Sequence, residues 1–205
     1  MGLTFAVNEH VLIPRQDTEI LVEEVLKELH DGMRVLDMCT GSGCILLSLL
    51  HYSNACEGLG VDLSADALEV AEQNAETLLD AVNADRVHFL QSDLFDKVEG
   101  KFEIIVSNPP YIASAEVEKL MPEVRDHEPR MALDGTEDGL HFYRRIIEEA
   151  GKHLVSSGML FFEIGYDQGQ AVSELMRTEG YCEVQVVQDY AGLDRVVLGT
   201  YCERN

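Results

Sequence analysis

Positive charge is what this chain has least of: 15 Lys and Arg stand against 38 Asp and Glu, for a net charge of −23. A surface this acidic repels phosphate backbones, and counterion release has few cations to draw on, which argues against direct nucleic-acid binding. It suits a protein partner with a basic face. No stretch approaches the roughly 18 unbroken apolar residues of a membrane span. The start, Met1-Gly2-Leu3-Thr4-Phe5, lacks a basic segment followed by an apolar one, so no signal peptide is expected. A cytoplasmic monomer with no membrane partner is the expectation. Five cysteines, Cys39, Cys44, Cys56, Cys182 and Cys202, form no CxxC pair. Neither a disulfide framework nor a metal site is expected. They read as buried small hydrophobes in a reducing compartment.

What is present is enough for one core, with 205 residues of which 46% are hydrophobic. Residues 1–32 read as a lead-in: a short hairpin or edge structure over Leu3 to Ile13, then a helix that Asp17 caps. Residues 33–205 read as a catalytic domain in which strands alternate with helices. Strands are expected at 33–38, 58–63, 87–90, 102–107 and 159–164, with helices at 43–50, 139–154 and 168–178, and another capped by Ser64. This alternation predicts an α/β, doubly wound, mostly parallel seven-stranded sheet. The last two strands, 182–187 and 195–201, have no helix-length connection and must pair antiparallel as a hairpin. The polar stretch from Ala113 to Glu137 reads as a lid or substrate loop.

Asn108-Pro109-Pro110-Tyr111 follows the apolar strand Phe102 to Ser107. A rigid loop at a strand's carboxyl end faces the crevice where open α/β sheets bind ligands. Two prolines remove backbone donors and leave outward-facing carbonyls. The Asn side chain adds an acceptor and the Tyr ring a flat wall. The loop suits a planar group bearing an NH2, though Asn-Pro is also ordinary turn chemistry.

A second constellation follows the first strand of the domain: Asp37-Met38-Cys39-Thr40-Gly41-Ser42-Gly43 leads straight into a helix. The glycines permit close backbone approach and the helix start offers free N–H groups, unless the loop is only a tight turn. Asp62, beside Leu63 at the tip of the second strand, is placed to accept ribose hydroxyls, or else caps a helix beside Ser64. Asp93 and Leu94, after the third strand, stand where an adenine would lie, although Asp93 is equally a turn residue. A nicotinamide dinucleotide wants a small residue at position 46, where this chain has Leu, which would crowd helix against strand. S-adenosylmethionine, with no pyrophosphate to cradle, fits better.

These residues together make the chain resemble the peptide chain release factor N5-glutamine methyltransferases (the PrmC/HemK group) over nearly its whole length. The matching stretches include Val11-Leu12-Ile13-Pro14-Arg15 with Thr18-Glu19, the Asp37 to Gly43 loop, Val61-Asp62-Leu63-Ser64 and Ser92-Asp93-Leu94-Phe95. They continue through Val106 to Ile112, Glu128-Pro129, Ala132-Leu133, Asp138-Gly139-Leu140, Phe162-Glu163-Ile164-Gly165 and Asp194-Arg195-Val196-Val197. The resemblance implies a Rossmann-like class I methyltransferase using S-adenosyl-L-methionine, with a release factor as protein substrate. Asp37, Cys39, Thr40, Gly41, Ser42, Gly43, Asp62, Leu63, Asp93, Leu94 and Asn108 would meet the cofactor. Asn108, Pro109, Pro110 and Tyr111 would meet the substrate, with Asn108, Pro109 and Tyr111 catalytic.

The same resemblance implies that the Asn108 side-chain carbonyl and the Pro109 backbone carbonyl accept the two amide hydrogens of a glutamine. Cys39 departs from the family's first loop glycine, and Gln16-Asp17 from its Pro-Glu. A helical domain that precedes this catalytic part in the family is not in this sequence, so Met1-Gly2 reads as an engineered start or a natural truncation. Glu163 either touches the site or is a strand-end structural carboxylate. His10, His127, His141 and His153 read as surface or core residues. Methylation of an adenine amine in RNA or DNA is the rival reading, and the absence of basic clusters counts against it. A non-catalytic binding module is a third, disfavoured by the intact Asn108 to Tyr111 loop.

Overall fold

The computed structural model describes residues 1–79 and 85–202. In chain order the elements are α1 (Thr18–Glu28), β1 (Arg34–Met38), α2 (Cys44–Tyr52), β2 (Glu57–Asp62), α3 (Ala65–Leu78), β3 (Val87–Gln91) and β4 (Phe102–Ser107). Three one-turn helices follow: α4 (Ser114–Val117), α5 (Pro122–Arg125) and α6 (Arg130–Leu133). The chain closes with α7 (His141–His153), β5 (Leu154–Glu163), α8 (Gly169–Thr178), β6 (Tyr181–Gln188) and β7 (Asp194–Tyr201).

The seven strands form one sheet in the order β3-β2-β1-β4-β5-β7-β6. Pairing is parallel from β3 through β5, while β7 runs antiparallel to both β5 and β6. The expected hairpin therefore forms, and its second strand inserts between β5 and the first. After β3 the chain crosses back to lay β4 on the other side of β1. That reversal is the topological switch point, and the carboxyl ends of β1 and β4 flank the crevice it creates.

Neighbouring residues on the central strands serve opposite layers. Val35, Ile104, Val106 and Phe161 pack with α1 and α2 on one face. Leu36, Ile105, Leu160 and Phe162 pack with α7 and α8 on the other. This period-two division explains why the strands read as unbroken apolar runs. The crowding expected at Leu46 is relieved on the strand side. A Cβ on Gly58 of β2 would lie 2.7 Å from Leu46 Cδ1, so the glycine supplies the space that a small helix residue would otherwise provide. Among the described residues no helix is long and apolar enough to cross a membrane.

Some local expectations fail. Residues 3–13 form no hairpin. They run as an irregular strap, held by the Asn74 side chain, which donates to Ala6 O (3.0 Å) and accepts from Ala6 N (2.7 Å). Asp17 makes no side-chain cap, because its carboxylate pairs with Arg195 at 3.2 Å. Ser64 does cap α3, its Oγ accepting from Ala67 N at 3.1 Å. Not all cysteines are unpaired: Cys182 and Cys202 form a disulfide with Cα atoms 6.1 Å apart, because the hairpin sets Cys182 opposite Thr200. Of the remaining three only Cys56 is buried, while Cys39 and Cys44 are half-buried.

Candidate active site

The glycine loop leaves β1 by a backbone that turns sharply. Cys39 has φ +62°, followed by Gly41 at +55° and Gly43 at +77°. Cys39 thus occupies a left-handed conformation natural to glycine. Beneath the loop lies Asp37, fully buried. Its Oδ2 accepts from Thr40 Oγ1 (2.6 Å) and Leu46 N (3.3 Å), while Oδ1 is buried with no partner. Burial raises the Asp37 pKa to about 7, against the lowering effect of the Thr40 bond.

Asp62 stands at the tip of β2 and ties two loops together. Its Oδ2 accepts from Gly41 N and its Oδ1 from Ser64 N, both at 2.9 Å. Burial raises its pKa and these backbone bonds pull it back. The cap of α3 is Ser64, and Asp62 instead braces the two loops while standing in the cleft wall. Leu63 beside it is 53% exposed at the rim, a free apolar surface for a flat ring. Asp93 pairs with Arg145 at 2.9 Å, and Leu94 is buried below it.

At the carboxyl end of β4, Ser107 Oγ donates to Met38 O (2.6 Å), locking β4 to β1 where the two loops diverge. Asn108 is half-buried, and Pro109 and Pro110 are buried. Tyr111 is held through its backbone: Gln168 Nε2 donates to Tyr111 O at 3.0 Å. Gly139 makes this possible, since a Cβ there would sit 2.3 Å from Tyr111 O. Burial, with Glu163 nearby, pushes the Tyr111 phenol up to about 12.

A cleft of about 120 Å³ opens between these loops, and roughly 10–15 Å³ on this measure admits one water, so it has room for an organic ligand. Cys39, Thr40, Gly41, Ser42, Asp62, Leu63, Asp93, Leu94, Asn108 and Pro110 line it. Asp37, Gly43, Pro109 and Tyr111 adjoin lining residues in sequence without lining this cleft themselves. The donor set suits a nucleoside: a carboxylate for hydroxyls, apolar walls from Leu63 and Leu94, and a glycine loop open to close approach.

The roof comes partly from the polar stretch expected to form a lid or substrate loop, and partly from the strap and α7, where no lining residue was expected. Val11, Leu12, Pro14 and Arg15 of the strap line the cleft, as do Pro129, Met131 and Ala132 from the polar stretch, and Phe142 from α7. Arg15 forms an ion pair with buried Glu128, joining strap to stretch. For the strap the signal lay in Leu12-Ile13-Pro14-Arg15, which carries no periodicity and was visible only through the resemblance.

A family model described as the methyltransferase small domain matches residues 15–124. The release factor glutamine methyltransferase of Clostridium acetobutylicum is 48% identical over 203 residues, spanning 97% of this chain and 70% of that protein. Its counterpart from Thermodesulfovibrio yellowstonii is 44% identical over 202 residues, spanning 96% and 71%. Among solved structures, the release factor-specific protein-(glutamine-N5) methyltransferase of Alicyclobacillus acidocaldarius is 32% identical, covering 97% of this chain and all of that one, with a TM-score of 0.55.

Proposed function

Because the chain belongs to the release factor glutamine methyltransferase family, we propose that it methylates the side-chain amide nitrogen of a glutamine in a peptide chain release factor. S-adenosyl-L-methionine, when bound, supplies an electrophilic methyl on sulfonium. The observation that carries the reading is that Asn108 and the glycine loop line one cleft at the sheet's switch point. Acceptor chemistry for an amide and a nucleoside site thus share a wall.

Asp62 accepts the ribose hydroxyls, Leu63 and Leu94 flank the base, and the Cys39 to Gly43 backbone meets the remainder. Buried Asp37 holds the loop through Thr40. An amide nitrogen is a poor nucleophile because its lone pair is delocalised into the carbonyl. Asn108 Oδ1 and the Pro109 carbonyl accept its two hydrogens and so aim that lone pair, which is catalysis by positioning. The same acceptors stabilise positive charge growing on nitrogen, and they are oriented in advance. Pro110 and Tyr111 wall the glutamine stem, and the extra proton leaves after transfer. Residues 33–205 make the methyltransferase domain and 1–32 a lead-in whose strap helps roof it. The enzyme works as a monomer in the cytoplasm. The adenine-amine alternative gains nothing from a chain of net charge −23.

The test is transfer of labelled methyl to a release factor and to its variant with the target glutamine replaced. Label on the first alone is the expected result, and equal labelling of both would sink the proposal.

A further inference from the structure

We propose that Glu163 is a positioning residue for Asn108: its buried carboxylate takes a hydrogen bond from Asn108 Nδ2 and so turns Oδ1 toward the substrate. The inference rests on the reading of Asn108 as an acceptor of amide hydrogens. An asparagine amide has two flip states, and only one of them presents its oxygen to an incoming N–H. Something must hold that state.

Pairing of β4 with β5 sets Ser107 opposite Phe162. The next residues, Asn108 and Glu163, therefore leave the two strands side by side at the rim of the crevice. Glu163 is 2% exposed, and its Oε2 is buried without a hydrogen-bond partner. The Thr18 and Asn108 side chains approach the carboxylate and lower its pKa. The backbone is clamped, with Tyr143 donating its hydroxyl to Glu163 O at 2.8 Å and Val196 paired across β7. A carboxylate so fixed has little freedom except toward Asn108 and Thr18.

The charged and titratable groups facing Glu163 are Asp17 before α1, Cys44 on α2, Tyr111 after β4, Tyr143 on α7 and Arg195 on β7. Burial, with Asp17 acting in the same direction, outweighs the lowering by Thr18, Arg195 and Asn108 and brings the carboxyl to about 7. Once protonated, its O–H competes for Asn108 Oδ1 and favours the wrong flip. Turnover then declines on the acid side of neutrality.

The test compares Glu163→Gln and Glu163→Leu with the unmodified enzyme, with thermal melting to confirm folding. In 15N-labelled protein the Asn108 side-chain NH2 resonances should move with pH through neutrality, and in Glu163→Gln they should not. Glu163→Leu should lose roughly 10–100-fold in kcat, the scale of a small misplacement, with cofactor affinity nearly unchanged. Glu163→Gln, which like the protonated acid offers both a donor and an acceptor, should turn over at every pH at the reduced level the unmodified enzyme reaches in acid, and so lose the acid-side decline. An Asn108 amide that ignores pH in the unmodified protein overturns the proposal. So does Glu163→Gln with an unchanged pH profile, or cofactor affinity falling in step with kcat. If Glu163→Leu does not fold, the Gln variant and the resonances decide. Should the unmodified enzyme label no release factor, the functional reading fails, while the resonance experiment still decides whether Glu163 holds Asn108.

Discussion

Asn108 leaves β4 at the edge of the cleft, where it contributes an acceptor and little core packing. Asn108→Ala should lower turnover by about 100-fold, the scale of removing one oriented polar group. Cofactor affinity should change far less, and single-turnover rates measured beside calorimetric titration on one preparation will show the split. Equal losses in both would make Asn108 structural. Asp62 should behave in the opposite way. Asp62→Ala removes an acceptor already braced by Gly41 and Ser64, so S-adenosylmethionine affinity should weaken by about 1–3 kcal/mol. Unchanged affinity by titration would take Asp62 out of the site. The placement of both at the cleft was legible in the sequence because each stands at the carboxyl end of a strand. Asp17 stands at the N-cap of α1 as expected, but its carboxylate pairs with Arg195, 178 positions away, and makes no side-chain cap; local spacing carries no trace of that.

At the level of elements, the contact between α2 and β2 rests on an exchange of bulk. Leu46 is fully buried against Gly58, so a methyl at position 58 must displace Leu46 Cδ1 from 2.7 Å. Gly58→Ala should cost about 1–3 kcal/mol by overpacking. The double variant with Leu46→Ala should lose less stability than the sum of the two single losses, because the smaller side chain removes the clash. Denaturant melts of the single and double variants check this, and strict additivity would mean the two residues do not share the space. The five parallel strands were readable since each has a short apolar stretch, buried or half-buried, between polar residues. The strap at 3–13 was not, because its few alternating residues are held by Asn74 rather than by a neighbouring strand. The insertion of β7 beside β5 was equally invisible, as local pattern identifies a hairpin without saying which of its strands faces the sheet.

For the whole molecule, two buried carboxyls set the response to pH. Asp37 and Glu163 are raised by burial from ordinary values of 3.8 and 4.5 to about 7. Folded protein thus holds protons that the unfolded chain has released, so their stabilising contribution is present in acid and is lost as pH rises through 7. The net charge of −23 acts in the same sense through self-repulsion. His153, whose pKa is lowered from its ordinary value chiefly by burial, opposes this, but it is one partly exposed ring. The melting temperature should be higher at pH 6 than at pH 8, each 1 kcal/mol moving it roughly 2–4 °C. Calorimetric scans at the two values check the sign, and Asp37→Asn should flatten the difference. A higher melting temperature at pH 8 would show that neither carboxyl stays protonated near neutrality.

The position of β7 also has a meaning for synthesis. β6 is made before β7, yet within the sheet only β7 joins it to β5. While residues 194–201 are still inside the ribosome, β6 has no strand to lie against and the outer edge of β5 is bare. Arg195, which reaches back to Asp17 ahead of α1, is missing at that stage too. The parallel half can assemble as it emerges, but the apolar flank of β5 has to wait. The order in which the polypeptide is delivered is therefore not the order in which its sheet is completed, and the interval between them is when this chain is most open to pairing with the wrong neighbour.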